Sequence, residues 1–201
     1  MKYTFTQDWF SHNVAHLENA IKNEFPSKSN IELLELGTFE GLSTVWFVER
    51  IPQILKNCLI NITSVDDFRK DIKPLNGINM TNIRQNALKN IKLANTINSP
   101  NKISFVQNST NNFFRSNSLE FDIVYIDGDH SSRQTIFDAM NAFEVLRSDG
   151  IIIFDDYLGG NGDYANLDVS PKFAIDTFVL LYSKQIKIIF QGYQLIVKKI
   201  S

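Results

Sequence analysis

The sequence predicts an α/β fold: a doubly wound, mostly parallel sheet of seven strands that ends in a C-terminal antiparallel hairpin. Three observations carry this reading. Apolar runs of strand length alternate with segments of helical periodicity. Four of those runs stop at acidic residues, in Glu35-Leu36-Gly37, Asp66-Asp67, Asp127-Gly128-Asp129-His130 and Asp155-Asp156. The last two runs are separated only by Gln191-Gly192, the spacing of a tight hairpin. A chain of 201 residues, set against about 150 residues per domain, fits one domain.

The elements follow in chain order. Val14, Leu17, Ile21 and Phe25 recur at helical spacing before Pro26, which places a first helix from Asp8 to Phe25. Ile31 to Leu36 reads as a buried strand, and a second helix starts near Gly41 with Leu42, Val45 and Trp46 on one side. Leu59 to Val65 is the next strand. Asn79 to Ile97 carries Ile83, Ala87, Leu88, Ile91 and Ala94 in helical phase. Ile103 to Val106 is a short strand before a polar turn. Phe121 to Ile126 is β-rich, and Ser131 or Ser132 can cap a helix carrying Ile136, Met140, Phe143 and Leu146. Ile151 to Phe154 is a continuous apolar run, as expected of a strand buried on both faces. The loop Leu158 to Asp168 holds three glycines and can serve as a lid. Ser170-Pro171, a cap followed by an N1 proline, opens a helix to about Tyr182. Ile186 to Phe190 and Tyr193 to Val197 form the hairpin.

Composition narrows the function classes. Lys plus Arg is 20 and Asp plus Glu is 22, a net charge of −2, so there is no basic footprint for nucleic acid or a membrane surface. No run approaches a membrane span, and Met1 to Gln7 lacks the basic and apolar regions of a secretory signal. Cys58 is the only cysteine and there are three histidines, which excludes a disulfide framework and multi-cysteine zinc sites. The expectation is a cytoplasmic protein acting on a small molecule, with no nucleic-acid or membrane partner; a homo-oligomer stays open.

In doubly wound sheets ligands sit beyond the carboxyl ends of the strands. One acid there is usually a solvated loop residue or a cap, but four on one edge repel each other unless something uses them. The turn Glu35 to Gly41 has glycines four apart, without the dinucleotide spacing and without a phosphate-loop lysine, which suits a ligand free of phosphates. Asp66 stands where nucleoside-binding sheets place an acid for the ribose hydroxyls; a cap on the next segment is the plain alternative. His12 and His16, one helical turn apart, read as surface residues before they read as a polar face of the site. Trp9 and Phe10 are either site contacts or core anchors.

The segments ELGTFEG, SVDDF, FDIVYIDGDHSSRQTIFDAM and LRSDGIIIFDDY resemble a class I S-adenosylmethionine-dependent methyltransferase, whose sheet is Rossmann-like. The nearest group is a small bacterial single-domain family with a YIDGDH…GGVIVFDDY pattern, similar to catechol-type and sugar O-methyltransferases. DWFSHN and PKFAIDTF…GYQLIVKK resemble the ends of that family, so the likeness spans nearly the whole chain: residues 1–27 as an N-terminal helical cap and 28–201 as the core. Gly150 follows Asp149 where the family often has a double glycine, a departure that touches a turn. The resemblance implies S-adenosylmethionine as cofactor. Glu35, Gly37 and Phe39 would wall its methionine part, Asp66 would hold the ribose, Asn108 and Ser109 would border the adenine, and Asp127 would lie beside the reactive end. Asp127, Asp155 and Asp156 would form a hard oxygen site suited to Mg2+ or Ca2+, or the pattern is kept without metal. His130 or Asp129 would be the general base. Rival readings are a metal-dependent relative such as a hydroxylase, a non-catalytic nucleoside-binding module, which needs Glu35, Gly37 and Asp66 but not Asp155 and Asp156, and, third, a nicotinamide dehydrogenase.

Overall fold

The computed structural model describes residues 2–68, 82–159 and 170–200. The proposed lid from position 160 onward and the expected start of the third helix at 79–81 lie outside them. A 3-10 turn, Ser11–Asn13, leads into α1 (Val14–Glu24). Then come β1 (Asn30–Leu36), α2 (Leu42–Ile54), β2 (Leu59–Val65), α3 (Ile83–Ile97), β3 (Lys102–Val106) and α4 (Thr110–Ser116). The second half holds β4 (Phe121–Ile126), α5 (Ser132–Val145), β5 (Leu146–Phe154), α6 (Pro171–Leu181), β6 (Ile186–Gln191) and β7 (Leu195–Lys199).

The seven strands form one sheet in the order β3-β2-β1-β4-β5-β7-β6. The first five are mutually parallel, and β7 is antiparallel to both β5 and β6. Because they are parallel, β1, β2, β4 and β5 end at one edge, and the strand order reverses between β1 and β4, which opens a crevice there. Alternation along each strand divides the core in two. Leu33, Ile62, Ile123, Tyr125, Ile151 and Ile153 face a layer with α1, α2 and α3. Leu34, Leu36, Val124, Ile126, Ile152 and Phe154 face one with α5 and α6. This two-sided burial is why the strands read as continuous apolar runs rather than alternating ones.

Several local expectations need correction. Leu146 belongs to β5, not to the preceding helix, because it pairs with Phe121 before a bulge that resumes at Ile123 and Ile151. Met140 is 42 % exposed; α5 turns Ala139, Ala142 and Phe143 inward instead, small residues that bring the helix close to the sheet. Ser131 is the cap of α5, accepting from Gln134 N, whereas Ser170 makes no side-chain cap bond to α6. The hairpin loop has three residues, 192–194, because β6 is bulged between Ile188 and Phe190 and this shifts the register that a two-residue turn requires.

Candidate functional site

The β1–α2 turn is built by close backbone approach. Gly37 has φ 94°, and its N–H donates to Val65 O at 2.9 Å. A Cβ at this position would lie 1.9 Å from Asp127 O. Only glycine allows the turns after β1 and β4 to touch in this way. The next two amides, of Thr38 and Phe39, donate to Asp66 Oδ2 at 2.9 and 3.0 Å, and Phe68 N donates to Asp66 Oδ1 at 2.8 Å. Gly37, Phe39 and Asp66 therefore form one rigid turn. Glu35 lies beneath it, fully buried, accepting from Ser43 Oγ at 2.6 Å, Thr44 Oγ1 at 2.5 Å and Ser64 Oγ at 2.6 Å. Burial pushes the Glu35 carboxyl up to about 7, against the opposing pull of these three hydroxyls. Asn108 and Ser109 follow β3, two strands from β1; Ser109 caps α4, and Asn108 Oδ1 accepts from Ser109 N at 3.0 Å.

The N-terminal segment is clipped onto this turn. Buried Glu40 accepts from Thr6 N at 2.5 Å and from Asn86 Nδ2 at 2.8 Å. Asn90 Nδ2 donates to both Thr4 O and Glu40 O at 2.9 Å. Trp9, half-exposed, packs on Phe39 with ring centroids 5.2 Å apart, while Phe10 is buried among Trp46, Phe47 and Tyr125. Sequence reasoning missed Glu40, Asn86 and Asn90: two of them read as ordinary positions of an amphipathic helix, and their partners lie far away in the chain.

At the ends of β4 and β5 the structure gathers Asp127, His130 and Asp156, each offering one donor atom within 4.8 Å of the others. His130 Nε2 is 3.0 Å from Asp156 Oδ2 and 3.8 Å from Asp127 Oδ1. Burial opposes charging of His130, but the bonds and charges of these two carboxylates win and raise it to about 10. Asp127 is held well above the usual carboxylate range by burial and by the neighbouring Asp155 charge. Asp156 moves the other way: burial raises it, but the His130 bond and charge and the Tyr193 hydroxyl outweigh that and lower it. The cluster thus sets an imidazole that favours its cationic form against Asp156, whose carboxyl is lowered, and Asp127, whose carboxyl is raised.

Asp155 lines the same pocket as Asp127, His130 and Asp156 but is not among the three residues whose donor atoms converge. It is buried, and its Oδ1 accepts from Gln194 Nε2 and, at 3.4 Å, from Asn13 Nδ2. Burial, followed by the Asp156 charge, pushes it up to about 6. The sequence showed neither Asn13 nor Gln194 as a partner. Asp129 is exposed and accepts from Ser131 N at 2.8 Å at the start of α5. His12 lies edge-on to Tyr193, close enough to Asp155 and Asp156 to favour their charged forms, and His16 stacks on Phe190 at 4.1 Å. Two carboxylates and one imidazole at this spacing fit a divalent cation, which would take the place of the His130 proton.

A parallel sheet reversed at β1 and β4, a glycine turn locked to an acid after β2, and an acid cluster after β4 and β5 define a class I methyltransferase. Residues 34–157, more than half of the chain, match the family described as Methyltransferase domain, and the chain belongs to that family. No curated protein matches the sequence. Among solved structures, the chain is similar to the O-methyltransferase from Bacillus cereus in complex with S-adenosylhomocysteine: 16 % identity, TM-score 0.62, covering 98 % of this chain and 84 % of that one. It is also similar to the O-methyltransferase TomG from Streptomyces achromogenes, in complex with S-adenosylmethionine: 12 % identity, TM-score 0.62, 93 % and 81 % coverage. The S-adenosylhomocysteine-bound methyltransferase PaMTH1 from Podospora anserina is 13 % identical, with TM-score 0.60 and 93 % and 77 % coverage. Such low identities establish the shared fold. Among the described residues, no helix is long and apolar enough to cross a membrane.

Proposed function

We propose that this methyltransferase moves the methyl group of S-adenosylmethionine to an oxygen of a small molecule or sugar, beside a divalent ion such as Mg2+. One observation carries the reading: the backbone contact between Gly37 and Asp127 sets the glycine turn directly against the acid cluster. A cofactor lying on the turn then ends at the carboxylates. The bound cofactors of the Bacillus cereus and TomG structures support the same choice.

Asp66 receives the ribose hydroxyls. Three backbone amides fix its two oxygens, two on Oδ2 and one on Oδ1, which leaves Oδ1 an acceptor site for a hydroxyl donor. Gly37 and Phe39 wall the methionine part, with Glu35 bracing the turn from below; Asn108 and Ser109 border the adenine, and Asp127 lies beside the sulfonium. Asp127 and Asp156, with His130, hold the ion; Asp155 joins them only by leaving Gln194 and Asn13. When bound, the ion supplies charge stabilisation for acceptor oxygens. The acceptor oxygen bonds the methyl carbon as the carbon–sulfur bond breaks, and S-adenosylhomocysteine leaves. Alignment and exclusion of water supply most of the rate. The acceptor proton goes to Asp129, because His130 Nε2 is engaged with Asp156 at 3.0 Å.

Calorimetric titration with S-adenosylmethionine and S-adenosylhomocysteine tests the reading. The wild-type chain binds both, and Asp66→Ala weakens both by at least about tenfold, the worth of hydrogen bonds to a charged group. Failure of the wild type to bind either would overturn it.

A further inference from the structure

We infer that the β6–β7 loop is the positioning device of the acid pair: Tyr193 turns Asp156 toward His130, and Gln194 fixes Asp155 through its Oδ1. The observation is one of register. β5 and β7 are antiparallel with Phe154 opposite Leu195. Continuing that ladder by two residues sets Asp155 opposite Gln194 and Asp156 opposite Tyr193. Both cross-strand partners are hydrogen-bond donors, and both bonds are made. Gln194 Nε2 donates to Asp155 Oδ1, and Tyr193 OH donates to Asp156 Oδ1 at 2.8 Å. The loop itself is tied to the same turn, since Leu158 N donates to Tyr193 O at 3.0 Å.

Strand alternation starts two adjacent side chains on opposite sides, and carboxylates so close also repel each other, but neither effect fixes where each oxygen points. Here each carboxylate is assigned its own donor. With Oδ1 of Asp156 occupied by the phenol, Oδ2 is left facing His130. Gln194 shows that its contact is directional. Its residue is fully buried, its amide nitrogen goes to Asp155, and its Oε1 is left with no hydrogen-bond partner among the described residues. An unpaired buried acceptor costs stability, so the amide is oriented for the carboxylate at the expense of its own oxygen. Neither residue touches the acceptor oxygen in this scheme; both act through the acids. The inference rests on the reading of Asp127, His130 and Asp156 as the ion-holding cluster.

The test uses Tyr193→Phe, which removes one partly exposed hydroxyl, and Gln194→Leu. Crystal structures of the metal-free variants read carboxylate placement directly. In Tyr193→Phe the Asp156 carboxylate rotates and its contact to His130 Nε2 lengthens beyond hydrogen-bond reach. In Gln194→Leu, Asp155 leaves its buried position. Asp156 and Asp155 found unmoved would overturn the inference. If Gln194→Leu does not fold, Tyr193→Phe decides alone. Mn2+ binding followed by electron paramagnetic resonance is the second readout. Tyr193→Phe binds Mn2+ about tenfold more weakly than wild type, the usual effect of losing a hydrogen bond behind a ligand, while S-adenosylhomocysteine affinity is unchanged. Equal Mn2+ affinity in the two proteins counts against the inference. A wild type that takes no Mn2+ at all defeats the ion reading, and the crystal structures still decide the positioning role.

Discussion

Glu35 has no exposed surface, and three hydroxyls from β2 and α2 converge on its carboxylate. Desolvation nevertheless dominates, and the group titrates at about 7 in the folded chain instead of 4.5. The sign of the linkage follows. Between these two values the folded chain keeps a proton that the unfolded chain has released, so stability falls as pH rises through the window, by about 3 kcal/mol in total. Glu35→Gln cannot ionise and lacks this term. Urea denaturation at pH 5, 6 and 8 should therefore show the variant gaining on wild type as pH rises. His130 and the aspartates titrate in both proteins and cancel in the difference. A wild-type-minus-variant difference that stays flat across these pH values would refute the burial argument.

The β1–α2 turn concentrates the most exacting geometry of any element here. A methyl group at position 37 meets the Asp127 carbonyl at 1.9 Å and must also accept φ 94°. Gly37→Ala should cost about 3 kcal/mol or more in chemical denaturation, adding overpacking to left-handed strain, and should lower S-adenosylhomocysteine affinity by separating the turns after β1 and β4. This element was legible in the sequence because glycine and acid punctuation at a strand end is a local signal. So were the strands, since Ile151 to Phe154 is apolar at every position and both faces are buried. The direction taken by each acid was not legible. Asp155 is held by Asn13, 142 positions away, and by Gln194, 39 positions away, and such contacts leave no local trace in the chain. The three-residue hairpin loop was equally hidden, because a bulge in β6 depends on tertiary pairing and not on Gln191-Gly192. Met140 misled for a related reason: helical spacing marks a face, but the tight approach of α5 to the sheet selected Ala139 and Ala142.

Across the whole molecule the two edges of the sheet do different work. The carboxyl edge gathers the turn, Asp66 and the acid cluster, with strained or mutually repelling groups. The opposite edge carries a satisfied ion network around Asp122, near the start of β4. Asp122 is buried, and its oxygens take Lys28 Nζ at 2.6 Å, Arg147 Nη1 at 2.9 Å and Glu32 N at 2.9 Å, joining the entry to β1, β4 and the bulged start of β5. Removing one member of a fully buried pair costs about 3–5 kcal/mol, but Lys28 and Arg147 are partly exposed and regain water, which lowers the expected cost to about 2 kcal/mol. Asp122→Ala should thus lower the unfolding free energy obtained from urea denaturation by that amount, while S-adenosylhomocysteine affinity stays at the wild-type value under conditions where the variant is folded. Asp66→Ala should differ in its binding, with affinity lost under conditions where the variant is folded. If Asp122→Ala weakened cofactor binding as much as Asp66→Ala, the two edges would be coupled through β4 and the division of labour would fail.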